Sequence, residues 1–186
     1  MRPWHLFAGF VSLAVLAGGA LTPSGTLAQT VAQQIFTLDQ DRFFINSAFG
    51  QRVQQEVKAR SEALGTENRR LEDELKAEEQ ALTEQRPTLD PAAFRTLADA
   101  FDKKVEATRA GQAKKASDLN AWAESERQRY FKLAFPELVK LFKETGAVAI
   151  LDQRAAIIFS EQMDLTARAI TRIDAVIGDG ADAPVQ

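Results

Sequence analysis

Apolar residues are spread unevenly along this chain, and their spacing separates stretches of different texture. Residues 34–39 place Ile35, Phe36, Thr37 and Leu38 just ahead of Asp39, the signature of a short strand. Phe43, Phe44, Ile45 and Phe49 follow closely and predict a helical turn or two, interrupted around Asn46 and Ser47. From there the pattern thins. Phe49, Val53, Val57, Leu64, Leu71, Leu75 and Leu82 are separated by 4, 4, 7, 7, 4 and 7 residues, which are helical spacings on one narrow face. Most of the residues between them are Glu, Gln, Lys, Arg or Ala, all good helix formers. A core helix of a globular domain needs about three apolar positions in seven. So thin a stripe suits a two-helix pair instead.

Residues 86–91 stop this helix and start another. Pro87 ends the first, Asp90 is a good N-cap, and Pro91 stands at the first helical position, where a missing N–H costs nothing. The second helix is predicted to run from Pro91 to about Glu144. Its stripe is Phe94, Leu97, Phe101 and Val105, then weak until Leu119 and Trp122, then dense from Tyr130 to Phe142. A turn at 86–91 fixes a register in which Gly65 faces Gly111 and Asp41 faces Pro136. The first pair predicts a hinge midway along the arm, since glycine weakens a helix interior by about 1 kcal/mol. Close packing at small residues would explain the same pair.

Beyond Gly146, residues 147–152 and 156–160 are short and apolar, and predict a hairpin of two buried strands. Asp164 is expected to cap a last helix carrying Leu165, Ala169, Ile170, Ile173 and Ile177. Residues 178–186 read as a disordered tail. The predicted fold is α+β and predominantly helical. A small β-strand body, residues 29–48 and 131–177, carries a long antiparallel coiled-coil hairpin arm, residues 49–130. The body is too small to bury Phe36, Phe43, Phe44, Phe131, Phe135, Ile150, Ile157 and Phe159 alone, so it is expected to oligomerise.

Residues 1–28 read as a secretory signal peptide, with Arg2 at the start and an uncharged run from Leu6 to Leu21. That run is shorter than the ~20 residues a spanning helix needs. Cleavage is expected between Ala28 and Gln29. It removes one positive charge, Arg2, so the formal net charge goes from −3 to −4. It also removes His5, the single histidine, and the chain contains no cysteine. Disulfides, His/Cys metal sites, haem ligation and Ser-His or Cys-His catalysis are therefore excluded for the mature chain. No glycine-rich phosphate loop is present. An acidic chain is also a poor nucleic-acid binder. No catalytic residue, cofactor or metal is expected.

A signal peptide, a strand, a charged helical hairpin, the run Gly146-Ala147-Val148-Ala149-Ile150-Leu151-Asp152, a second strand and Asp164-Leu165-Thr166 opening a terminal helix occur in that order. In this order and spacing the chain resembles the Skp/OmpH family of periplasmic chaperones. Ile35–Asp39, Arg42–Phe44, Val148–Asp152 and Asp164–Thr166 fit the family's strand and helix-start patterns, and the likeness spans nearly all of residues 34–177. The resemblance implies a homotrimer joined through a barrel-like body. Within it, Ile35, Phe36, Leu38, Val148, Ile150, Ile157 and Phe159 are the candidate trimer residues. It implies that three arms hang around a cavity and hold unfolded outer-membrane β-barrel proteins in the periplasm without ATP. Candidate client contacts are Leu82, Leu89, Phe94, Leu97 and Phe101 near the tip; as a and d positions they also serve simply to pack the two arms.

The charge on the arm departs from the basic arms of that family. Residues 72–102 carry nine acidic and three basic side chains, a net −6. A band from 103 to 115 carries five basic side chains against Glu106, a net +4. The acidic tip argues against binding of lipopolysaccharide or an anionic membrane, because like charges repel. A solvated helix face explains the same charges. An adaptor docking one folded partner through the hairpin is the main alternative to a holdase. An enzyme is disfavoured, because the clustered carboxylates Glu72, Glu74, Glu78 and Glu79 have no predicted pocket to shift their pKa values.

Overall fold

The computed structural model describes residues 34–181. A few polar side chains decide where its elements begin. Strand β1 (Gln34–Leu38) gives way to helix α1 (Gln40–Ile45) at Asp39, whose carboxylate accepts from the Arg42 N–H at 2.9 Å. Ser47 then does two jobs. Its hydroxyl donates to the Phe44 carbonyl at 2.7 Å, and accepts from the Gly50 N–H at 3.0 Å, which caps helix α2 (Ala48–Gln85). The corner is tight enough to require glycine at 50: a Cβ there would lie 1.8 Å from the Phe44 carbonyl oxygen. Asp90 caps helix α3 (Pro91–Thr145) by accepting from the Ala92 and Ala93 N–H groups at 3.0 and 3.3 Å. Strand β2 (Ala147–Asp152), two single 3-10 turns (Gln153–Ala155 and Glu161–Met163) and helix α4 (Thr166–Ile177) complete the order.

β1 and β2 pair in parallel, with Ile35 opposite Ala149 and Leu38 opposite Asp152. Parallel neighbours need a crossover, and here the crossover is the whole hairpin of α2 and α3. With 38 and 55 residues, these helices run about 57 and 82 Å at 1.5 Å per residue. The core sits only at their base. Phe43, Phe44, Phe49 and Tyr130 form an aromatic cluster with Tyr130 at its centre, 5.0 to 5.5 Å from each of the other three rings. Leu165, just ahead of α4, and Ala169 and Ile173 within it close the cluster. Tyr130 is fully buried, and its hydroxyl donates to the Phe43 carbonyl at 2.7 Å.

Several expectations need correcting. Residues 156–160 are not a strand, and the sheet has two strands rather than three among the described residues. Asp152 accepts from the Arg154 N–H at 2.9 Å and caps the 3-10 turn, which leads the chain away from the open edge of β2. The other side of β1 is occupied by Asp164 and Leu165, whose N–H donates to the Thr37 carbonyl at 2.9 Å. Residues 178–181, expected to be disordered, form a turn that packs on the base of the hairpin. The register along the arms also differs. Glu67 pairs with Lys115, Glu78 with Lys104, and Arg60 lies 3.7 Å over the Trp122 ring, all in one register. Four residues on from Glu67–Lys115, that register sets Gly111 opposite Leu71. These contacts do not bring Gly65 level with Gly111. Nor do the arms pack closely at either glycine: a Cβ at Gly111 would meet nothing within 4 Å, and one at Gly65 only Arg69 at 3.8 Å. At the root, the Asp41 carboxylate is held by the Arg127 guanidinium at 2.6 Å, and no contact joins Asp41 to Pro136 among those of the described residues. The expected cleavage point, Ala28 and Gln29, lies outside the described residues.

Candidate functional site

Two surfaces stand out, the seam between the arms and an apolar face on the body. Along the arms, no residue from 54 to 129 is buried. Leu64, Leu71, Leu75 and Leu82 of α2 and Phe94, Phe101, Val105 and Leu119 of α3 are all half-buried, and Leu89 is half-buried in the tip connection. Leu97 differs: at 40% exposure it faces outward. Of the five tip residues, then, four line the seam and one is offered to solvent. Arg86 lies 5.6 Å over the Phe94 ring and covers the tip end of the seam.

The seam is weakest in its middle. Between Val105 and Leu119, α3 supplies no apolar side chain larger than alanine. Asn68 and Gln112 occupy the gap, and the Asn68 Oδ1 and Gln112 Oε1 atoms are buried without a hydrogen-bond partner. Beside them runs an open groove of about 680 Å³ lined by Leu71, Leu75, Phe101 and Val105 with charged residues at its rim. Ion pairs replace apolar contacts here. The Lys115 ammonium holds the Glu67 carboxyl below its ordinary value by hydrogen bonding to it. Exposed pairs of this kind contribute little, up to about 1 kcal/mol each.

The body presents the opposite texture. Phe36 and Leu38 are buried in the chain's own core, and Ile150 is half-buried. Ile35, Val148 and Leu151 are 42 to 45% exposed, Phe135 is 65% exposed, and Ile157 and Ile158 are 99% and 90% exposed. Phe159 is exposed beside them. An apolar groove of about 290 Å³ lies between α3 and β2, lined by Leu38, Phe135, Leu138, Val139, Phe142 and Ile150 among others. Leu138, Val139, Phe142, Leu151 and Ile158 were not singled out from the sequence. The available signal was the density of residues 130–142, which hold more apolar side chains than one helix face can bury. Among the described residues no group of His, Cys, Asp and Glu is placed to hold a metal, and no helix is long and apolar enough to cross a membrane.

Comparison with known proteins gives two findings. The family described as Outer membrane protein (OmpH-like) matches residues 34–173. The crystal structure of a Caulobacter crescentus CB15 protein, described as an OmpH-like outer membrane chaperone, superposes with a TM-score of 0.71 at 18% identity, covering 92% of each chain. No curated protein matches the chain.

Proposed function

This chain belongs to the OmpH-like outer membrane protein family, and on that premise we propose that it is an ATP-independent holdase for unfolded outer-membrane β-barrel proteins. It acts in the periplasm after its signal peptide is removed between Ala28 and Gln29. The observation that carries this reading is the seam: two helices of 38 and 55 residues run side by side with nothing buried from 54 to 129. Packing that thin leaves apolar side chains within reach of a ligand. Leu82, Leu89, Phe94 and Phe101 become available when the arms part slightly, and Leu97 is available already. An unfolded barrel strand alternates apolar and polar residues, and aggregates through its open edges. Many weak contacts on a soft arm suit it, and none requires ATP.

The arms act in threes. A homotrimer joined by Ile35, Val148, Ile150, Ile157 and Phe159, with Phe135 and Phe142, covers the exposed body face and gives β2 a partner for its open edge. Three parallel arms then enclose a cavity. Their flexible segment is the gap around 105–119, opposite 64–75, where Gly65, Gly111, Asn68 and Gln112 all lie, rather than a matched glycine pair. The net −6 of the tip repels anionic lipid and lipopolysaccharide, and leaves the protein client as the ligand.

The test is suppression of aggregation. The chain from Gln29 onward, mixed in stoichiometric amounts with several urea-unfolded barrel proteins, should keep each of them soluble on dilution. Failure with all of them, combined with tight binding to one folded protein, would replace the holdase by an adaptor.

A further inference from the structure

The turn after α4 is built into the base of the arms. Gly178 and Gly180 both adopt positive φ, 56° and 73°, which bends the chain back from α4. The Asp179 carbonyl accepts from Arg52 Nε of α2 at 2.8 Å. The Gly180 carbonyl accepts from Arg129 Nη2 of α3 at 3.0 Å. One short turn thus joins both arms. The two arginines are themselves fixed. Arg52 binds Glu56 and Glu126, each at 2.6 Å, and Arg129 lies 3.5 Å from Glu126. Both guanidiniums lie over the Phe49 ring, at 4.8 and 5.6 Å. Their side chains are only 18% and 20% exposed. The bond to the Gly180 carbonyl is partly buried, and a carbonyl bound to a guanidinium there is a stronger link than at a free surface, whereas the bond to the Asp179 carbonyl is open to solvent.

Gly180 seals the arrangement. It is buried, and a Cβ on it would lie 2.0 Å from Cδ2 of Phe49. Any other residue at 180 is thus opposed twice, by positive φ and by the ring. The Asp179 carboxylate accepts from the Ala181 N–H at 3.0 Å and closes the turn.

We propose that residues 178–181 form a clasp that locks the first turns of both arms to the body, so that arm motion begins beyond Val57 and Trp122 rather than at the root. The clasp joins the end of α4, a helix of the body, to the layer Phe49, Arg52, Glu126 and Arg129 through the Asp179 and Gly180 carbonyls. Beyond Val53 nothing on the arms is buried until the hairpin has turned and come back to Tyr130. The root is consequently the stiffest part of each arm, and the seam gap is the softest.

Hydrogen exchange on the chain from Gln29 tests this without any client, so its outcome is independent of the holdase reading. Three variants are compared with the parent: one ending at Ala181, one ending at Gly178, and Gly180→Val in the full chain. The variant ending at Ala181 should exchange like the parent. The other two should exchange about ten-fold faster at 49–57 and 122–130, the loss expected when two charge-assisted bonds and a ring contact go. Protection at 36–44 and 166–174 should persist in all three. Unchanged protection at the root after removal of the clasp would overturn the proposal. So would loss of protection throughout the body in both altered variants, since the turn would then be part of the fold and not a clasp on it.

Discussion

Tyr130 binds together residues from three elements. Its ring meets Phe43 and Phe44 of α1 and Phe49 of α2, and its hydroxyl reaches the Phe43 carbonyl. Burial pushes the phenol well above its ordinary value, which favours the neutral, donating form. Tyr130→Phe leaves the Phe43 carbonyl without that donor and should cost about 1–2 kcal/mol in urea unfolding. Tyr130→Ala, which also opens a cavity, should cost about 3–5 kcal/mol. Carboxylates around the same core set the acid limit. Hydrogen bonds from Lys140 and Arg172 hold Glu137 below its ordinary value of 4.5, and a hydrogen bond from Arg172 does the same for Glu144. Arg127 holds Asp41, and Arg154 holds Asp152, below 3.8. Each ionises more readily folded than unfolded. Their contribution is complete above the unfolded values and is lost as pH falls through the folded ones. The melting temperature should therefore be flat down to about pH 5 and drop below about pH 4.5. Glu137→Gln should flatten that drop.

At the scale of the element, the arms are long helices held by a partial seam. Gly111→Ala and Gly65→Ala meet no crowding, so each should stabilise the arm by up to about 1 kcal/mol through helix propensity. If arm dynamics and the handling of large clients are unchanged in the double variant, glycine plays no part in arm flexibility. Asn68→Leu with Gln112→Leu fills the gap and removes two unpaired oxygens, and should stiffen the arm more than the glycine changes do. Slower exchange at 64–75 and 105–119 is the readout. These elements were legible in the sequence because local chemistry defines them. Asp90 followed by Pro91 starts α3 wherever the rest of the chain goes, and Ser47 interrupts α1 and α2 by its own hydroxyl. Arm register was less legible, since long Lys and Arg side chains cross the seam at an offset that a count of residues from the turn does not give. Residues 156–160 have the composition of a strand, but a strand needs a partner. Asp152 turns them away from β2, and Leu165 takes the place beside β1. The turn at 178–181 gave no sequence signal beyond its glycines, because its acceptors are backbone carbonyls.

For the whole molecule, the two surfaces differ in kind. The body has more apolar surface than its own core uses, with Ile157 and Ile158 almost fully exposed. Ile157→Asp with Ile158→Asp should leave the protomer folded by circular dichroism and break the proposed trimer, because neither side chain contributes to the chain's own core. The candidate site was legible only in part for the same reason. Phe36 and Leu38 turn out to serve the protomer's own core, whereas Ile35, Val148 and Ile157 face outward, and sequence periodicity does not separate an internal core from one completed by another chain. The arms carry the reverse imbalance: too little apolar surface to close on themselves, and a charge that changes sign along their length. On the proposed function, three such chains join through the body and hold one unfolded barrel protein between their arms. Native mass measurement of the chain from Gln29, alone and after addition of a urea-unfolded barrel protein, tests this most directly. The expected masses are those of three chains alone and of three chains plus one client in the mixture. A single chain that retains no client would contradict it.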